Sequence, residues 1–308
     1  MKTLTILIPT YNRCNDLLYN LGLLENFIIK GGWEDVITIL ISNNCSTDDT
    51  ASKLNDFKKQ SHARIVIYQQ EKNIGLEKNA LFCLEKATGD FIMYLGDDDY
   101  ISLEYLEGVM KAISSIDKLS CIVPSWIGIT PDKKIKKDSY RDIYLKTKLY
   151  EPGFESSLEN SYRGHQLSGL TFLRDGLYDE YISKGVSNIY PFIFMVAFTS
   201  LHGKLLHLTE YPIKITQPNQ DKKDWGYKED GLISEIFDNY KKLGVTSIQR
   251  ARYEFRIIRK QPFRYSMYFR NGTRSGLKAM RKIVLGKNTS FIGSVCIFSY
   301  FLYYLLKK

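Results

Sequence analysis

Apolar residues in the first half of the chain fall into two alternating patterns. Unbroken runs occur at Leu4–Ile8 (LTILI), Val36–Ile41 (VITILI), Arg64–Tyr68 (RIVIY) and Phe91–Leu95 (FIMYL). Between them lie stretches with an apolar residue every three or four positions. Asp16–Ile29 carries Leu17, Leu18, Leu21, Leu24 and Ile28, and Glu77–Ala87 carries Ala80, Leu81, Leu84 and Ala87. The runs predict buried strands and the spaced stretches predict helices. Asp48–Lys59 adds a polar-faced helix, with Ser46 or Thr47 as its N-cap. Continuous apolar strands alternating with helices predict an α/β fold whose parallel sheet is covered on both faces.

Beyond Ser102 the pattern loosens. Leu103–Ser114 predicts a helix and Cys121–Pro124 a strand. The charged segment Pro131–Asp142 reads as a solvated excursion, and His165–Leu177 and Ile189–Leu201 as core elements. Leu205–Ile215 reads as two short strands broken by Pro212, which lacks a ladder donor, and Glu229–Tyr240 as a helix. Phe291–Leu306 (FIGSVCIFSYFLYYLL) is 16 uncharged residues closed by Lys307 and Lys308. A spanning helix needs about 20 apolar residues, so an interfacial or membrane-dipping helix is expected, with a core helix closing the domain as the alternative.

Charge changes the picture of this tail. From Arg250 to Lys308 there are 14 Lys/Arg and one acid, Glu254, a local balance of +13. Residues 1–249 hold 29 bases and 33 acids, so a near-neutral body carries a strongly basic tail. Such asymmetry points to a polyanion or an anionic membrane. The aromatics among the bases (Tyr253, Phe255, Phe263, Tyr265, Tyr268, Phe269) would suit nucleic-acid stacking, but the apolar terminal segment favours a membrane and no nucleic acid. The five cysteines are scattered, without C-x-x-C spacing, which argues for a reducing compartment and against zinc. The first apolar run is too short for a signal-peptide core. The expected place is the cytoplasm, at the inner face of the cell membrane. The expected organisation is a catalytic body, 1–244 (donor half about 1–115, acceptor half about 116–244), and a helical tail, 245–308.

Three polar clusters follow predicted strand ends: PTYNR, SNNCSTD and GDDDY. In parallel α/β sheets ligands bind beyond the carboxyl ends of the strands, so the clusters converge on one edge. Asp97, Asp98 and Asp99 repel one another and call for a positive partner. A hard divalent cation, Mn²⁺ or Mg²⁺, would supply it and would also neutralise a diphosphate leaving group. A solvated turn before a helix at Ser102 is the plainer reading. Asn43 and Asn44 carry amides able to read a pyrimidine edge, or simply to build a turn. In NIGLEKNA, Gly75 allows close backbone approach and Lys78 is placed to meet a phosphate.

The motifs ILIPTYNR (Ile6–Arg13), ISNNCSTDDT (Ile41–Thr50), NIGLEKNA (Asn73–Ala80) and GDFIMYLGDDDY (Gly89–Tyr100) occur in one order and register. Together they resemble the family 2 glycosyltransferases of the GT-A fold. The resemblance implies a Rossmann-like, mostly parallel sheet, a nucleotide-sugar donor, a divalent metal and inversion at the anomeric carbon. By position it places Pro9, Thr10 and Tyr11 around the base, with Arg13, Asn43, Asn44, Lys78 and Asp97 also on the donor side. It makes Asp98, Asp97 and Asp99 the metal carboxylates, with Asp98 the direct ligand. Asn43 and Asn44 stand where the family usually has aspartates, so UDP, dTDP or CDP are all open, with UDP preferred. The acidic pair that supplies the family's general base is absent from SNIYPFIFMVAF. Asp179 and Glu180 upstream, or Glu229 and Asp230 in WGYKEDGL downstream, are the candidates, and Asp230 is preferred. HQLSGLTFLRDGL followed by NIYPFIF is similar to bacterial enzymes that build O-antigen, capsule or teichoic-acid chains, which implies a glycan or lipid-linked acceptor.

Two other readings compete. A nucleotidyltransferase usually opens with a glycine-rich phosphate loop after its first strand, and PTYNRCND has no glycine. A non-enzymatic binder would use the basic tail alone.

Overall fold

A computed structural model of the chain describes residues 1–217 and 232–306. The first half follows the predicted alternation. Strands β1 (Leu4–Thr10), β2 (Ile37–Asn43), β3 (Arg64–Gln69) and β4 (Phe91–Tyr94) lie parallel in the order β3-β2-β1-β4. Helices α1 (Cys14–Gly31), α2 (Thr50–Gln60) and α3 (Leu76–Lys86) connect them, and α4 (Leu103–Ser115) follows β4. Every residue of β1 and β4 is buried, the reason both read as unbroken apolar runs. Ser102 caps α4 by accepting from Tyr105 N at 3.2 Å, whereas Asp49, not Ser46 or Thr47, precedes α2. Ser46 and Thr47 instead bind Asn12 in the neighbouring loop.

The second half is mixed in direction. It contains β5 (Leu119–Ile129), β6 (Ile135–Arg141), β7 (Lys148–Tyr150), β8 (Thr171–Leu173) and β9 (Lys204–Thr216). The sheet runs β3-β2-β1-β4-β8-β5-β9-β7, with β6 on β5. Short β8 is antiparallel to both β4 and β5. It enters from above, so the residues before it sit at the carboxyl end of β4. One expectation is extended and one corrected. Pro131–Asp142 is solvated, but β6 occupies most of it as an exposed edge strand whose charges guard against further pairing. Leu205–Ile215 is not broken, since β9 is one strand. The register with β5 steps from Pro124↔Leu208 to Trp126↔Ile213, and Pro212 falls in the bulge where no ladder donor is needed.

Helices α1, α2 and α4 share a core with one sheet face, around Leu17, Leu21, Leu54, Val109 and Ile113. On the other face lie α3, α5 (Phe154–Asn160), α6 (Leu177–Ser183), α7 (Pro191–His202) and α8 (Ile233–Lys241). Helix α7 is enclosed by strands and helices, which explains why almost all of its residues are apolar.

The basic tail folds onto this second face as α9 (Ser247–Lys260), α10 (Phe263–Phe269), α11 (Thr273–Val284) and α12 (Phe291–Leu306). Thr246 and Gln249 close a capping box on α9. Arg252 makes a bidentate pair with Glu155 on α5, at 2.8 and 3.0 Å, and Arg256 pairs with Glu159. The tail's one acid, Glu254, is buried and accepts from Arg250 Nε, Ser290 N and Ser290 Oγ, which ties α9 to the start of α12. A Cβ on Gly293 would overlap that carboxylate. Helix α12 divides its faces. Ile297 and Phe301 are buried in the shared core, while Phe291, Val295, Phe298 and Leu302 are exposed along the opposite stripe. No helix among the described residues is long and apolar enough to cross a membrane.

Candidate active site

The three aspartates leave β4 on a turn whose backbone is held from three sides. Asn20 on α1 donates to the carbonyls of Gly96 (3.1 Å) and Asp99 (2.8 Å). Ser168, in the loop before β8, accepts from Gly96 N at 2.9 Å and donates to Asp99 Oδ2. Thr216, at the end of β9, donates its N–H to Asp99 Oδ1 at 2.7 Å and its hydroxyl to the Asp98 carbonyl. Glycine at 96 is a packing requirement. A Cβ there would lie 2.9 Å from Asp99 Oδ2 and 3.1 Å from Ser168 Oγ.

The carboxylates then part company. Each oxygen of Asp99 already accepts a hydrogen bond inside the protein, so it braces the turn. Asp97 accepts from Thr10 Oγ1 at 2.7 Å with one oxygen and faces Arg13 Nε at 3.9 Å with the other. Asp98 pairs directly with the Arg13 guanidinium. Burial, and then the neighbouring Asp98, push Asp97 up to about 7 and raise Asp99 as well. Arg13 is held above its ordinary value: burial works against its charge, but Asp98 and Asp97 outweigh it. The positive partner that three adjacent aspartates demand is therefore present in the chain itself.

These residues also fit a divalent ion. Asp97 and Asp98 already converge on one cation, Arg13, and offer only oxygen, the donor that Mg²⁺ and Mn²⁺ prefer. Among the described residues no three His, Cys, Asp or Glu surround one point. Two carboxylates completed by diphosphate oxygens is the usual arrangement for such ions.

The other two clusters converge on the same edge. Asn12, with φ 53°, accepts from Thr47 N, and its own N–H donates to Ser46 Oγ, so PTYNR and SNNCSTD are laced together. Asn44 N donates to the Thr10 carbonyl at 2.9 Å. Asn43 and Asn44 are buried with their amides largely engaged. Asn43 donates to Gln69 and accepts from Ser46 N, while Asn44 donates to Asn73 and accepts from Ile74 N. Tyr11, just past β1, has an exposed ring, whereas Pro9 is buried within the strand. Lys78 is exposed in the first turn of α3, at the same edge.

Asp179 and Glu180 lie in the first turn of α6, which packs against α3 and α7. Glu229 and Asp230 lie outside the described residues. Asn20, Ser168 and Thr216 are the residues that sequence reasoning missed. Each comes from a distant element, and only the LSGL stretch before β8 offered a signal, a small polar residue beside Gly169 (φ 76°).

Fold and site together define a nucleotide-sugar-dependent transferase of the α/β, GT-A type. The chain belongs to the glycosyl transferase family 2, whose family model matches residues 5–174. It is 25% identical over 286 residues to the abequosyltransferase RfbV of Salmonella typhimurium, covering 84% of this chain and 81% of that one. It is 27% identical over 113 residues to the GalNAc(5)-diNAcBac-PP-undecaprenol beta-1,3-glucosyltransferase of Campylobacter jejuni, 37% of this chain and 34% of that one. Among solved structures, S. aureus TarS 1-349 in complex with UDP-GlcNAc superposes with a TM-score of 0.65 at 15% identity, covering 92% of this chain and 80% of that one. The Pyrobaculum calidifontis mannosyltransferase PcManGT, with GDP-Man and Mn²⁺, gives 0.56 at 11% identity, covering 100% and 88%. At such identities these structures show the shared fold.

Proposed function

We propose that this family 2 glycosyltransferase moves a sugar from a nucleotide diphosphate, UDP in preference to dTDP or CDP, to a hydroxyl of a lipid-linked glycan in bacterial surface-polysaccharide synthesis. The observation that carries the reading is the pair Asp97–Asp98 facing one cation at the carboxyl edge of β1 and β4, with Asp99 withdrawn. Asp98 and Asp97 would hold Mn²⁺ or Mg²⁺, which when bound neutralises the departing diphosphate. Pro9, Thr10 and Tyr11 flank the base. Arg13 and Lys78 place positive charge beside the phosphates, where it stabilises the leaving group. An acid takes the proton from the attacking hydroxyl, and attack from the face opposite the diphosphate inverts the anomeric carbon. Asp230 keeps first place for that role, ahead of Glu229, Asp179 and Glu180.

The acceptor side is read from the tail. Its exposed apolar stripe on α12 lies beside the basic α11, a combination suited to the surface of an anionic membrane. The enzyme would thus work peripherally at the inner leaflet, and nucleic acid is not its partner. The resemblance to an enzyme whose name includes a PP-undecaprenol acceptor agrees with this.

The test is transfer and donor hydrolysis by Asp98→Ala, with Mn²⁺ titrated. Loss of about 10²-fold or more in turnover is expected, as for removal of one preorganised electrostatic group. Undiminished metal-stimulated turnover would remove Asp98 from the site.

A further inference from the structure

A cavity of about 640 Å³ lies between the loop before α7, helix α8 and the α11–α12 junction. That volume is in the range of small-molecule sites. Four lysines line it: Lys241 and Lys242 from α8 and its C-terminus, Lys282 from α11, and Lys287 from the α11–α12 loop. Its two acids are already engaged. Asp238 pairs with Lys242 at 2.6 Å, and Glu235 accepts from Ile189 N at 3.1 Å. Lys241 and Lys287 are exposed and make no ion pair with a described residue. The cavity is therefore poised for an anion, and ammonium groups converging from two helices suit phosphate oxygens.

Its position says which phosphate. One wall, Ser187–Asn188, is anchored to Glu77: Asn188 N donates to Glu77 Oε1 at 2.9 Å. Glu77 is next to Lys78 in the first turn of α3, so the cavity shares the end of the molecule where the donor loops meet. The other side leads to the membrane-facing surface. Leu285, between Lys282 and Lys287, is exposed, and Phe291, four residues past Lys287, is 84% exposed at the head of the α12 stripe. Phosphate in the cavity, hydrocarbon on the stripe and glycan toward the donor would be three parts of one molecule.

We infer that this cavity binds the phosphate or diphosphate group of the lipid-linked acceptor, a step that rests on the acceptor class proposed above. The lysines would hold the headgroup, and the stripe at Leu285 and Phe291 would take the start of the lipid chain.

Binding to the full chain is measured by calorimetry in EDTA, with farnesyl diphosphate, inorganic pyrophosphate, and phosphatidylcholine vesicles with or without phosphatidylglycerol as separate probes. The double substitution Lys241→Glu, Lys287→Glu, at exposed positions, is expected to weaken farnesyl diphosphate about tenfold or more. Asp98→Ala should leave that affinity unchanged. Farnesyl diphosphate should also bind more tightly than pyrophosphate, because only it reaches the apolar stripe. Equal affinity of wild type and double variant overturns the inference. So does loss of binding in Asp98→Ala, which would place the probe in the donor site. A double variant that loses only the phosphatidylglycerol vesicles overturns it too, since the lysines would then serve bulk headgroups. Donor hydrolysis is followed alongside. A chain that hydrolyses donor but fails to bind the probe loses the cavity assignment alone, and one that binds the probe without donor turnover loses the enzymatic reading alone.

Discussion

At the scale of single residues, the run of three aspartates resolves into three tasks. Asp98 faces the site, Asp97 is shared between Thr10 and Arg13, and Asp99 is a brace. A brace this tight has little tolerance. Gly96→Ala would press a methyl against Asp99 and Ser168, and overpacking typically costs about 1–3 kcal/mol. We expect a lower Tm together with reduced donor affinity, because the same turn aims Asp98. Thermal melting with and without UDP checks both. In the turn that leads toward β8, His165 stacks on Tyr190 with ring centroids 5.3 Å apart. Burial, then the cations of Arg264 and Arg141, hold its imidazole far below the usual range, at about 3. The folded state therefore refuses a proton that the unfolded chain accepts below about 6.5. Stability from this residue is present above that pH and is lost as pH falls. Between pH 7 and pH 5 the wild type should lose more Tm than His165→Asn. An equal loss would show that the imidazole titrates normally.

At the scale of elements, the terminal helix answers part of what composition left open. The core-helix reading holds for one face only: Ile297 and Phe301 are buried, while Phe291, Val295, Phe298 and Leu302 are exposed. Deleting the helix would take Ile297 and Phe301 out of the core and expose the residues they pack against, and each such side chain contributes about 1.5–3 kcal/mol when buried. Truncation would then confuse unfolding with lost attachment. Phe298→Asp on the exposed stripe separates the two. Vesicle co-sedimentation should fall several-fold while Tm stays within about 1 °C, since surface substitutions rarely exceed ±0.5 kcal/mol. Strand β8 makes a similar point. Three residues inserted antiparallel between β4 and β5 bring Ser168 under the aspartate turn. No periodicity is readable in three residues.

At the scale of the whole molecule, the tail brings basic residues of α11 beside exposed apolar residues of α12. The basic tail packs through Arg252, Arg256 and Tyr253 onto α5, while α12 buries Ile297 and Phe301 and leaves its other stripe exposed. The proposed membrane attachment should then have two components that salt distinguishes. Binding to phosphatidylglycerol vesicles should weaken steeply as ionic strength rises to about 0.5 M, where exposed charges beyond roughly 5 Å are screened. The residual binding should be the part that Phe298→Asp abolishes. Salt-independent binding in the wild type would mean that the lysines and arginines take no part.

The sequence by itself determined the α/β alternation of the first half, because each buried strand had to be apolar throughout and each helix apolar on one face. It also determined the convergence of PTYNR, SNNCSTD and GDDDY, since parallel strands put all their carboxyl ends on one side. Tertiary structure alone decided what each residue there does. Asn20, Ser168 and Thr216 reach the turn from 76, 72 and 118 residues away in sequence, and only Ser168, beside Gly169, had any local mark. Whether Asp97, Asp98 or Asp99 faces a ligand depends on which oxygens those partners have already taken. Strand and helix are encoded within a few residues. A carboxylate's free lone pairs are fixed only when the chain has folded back upon itself.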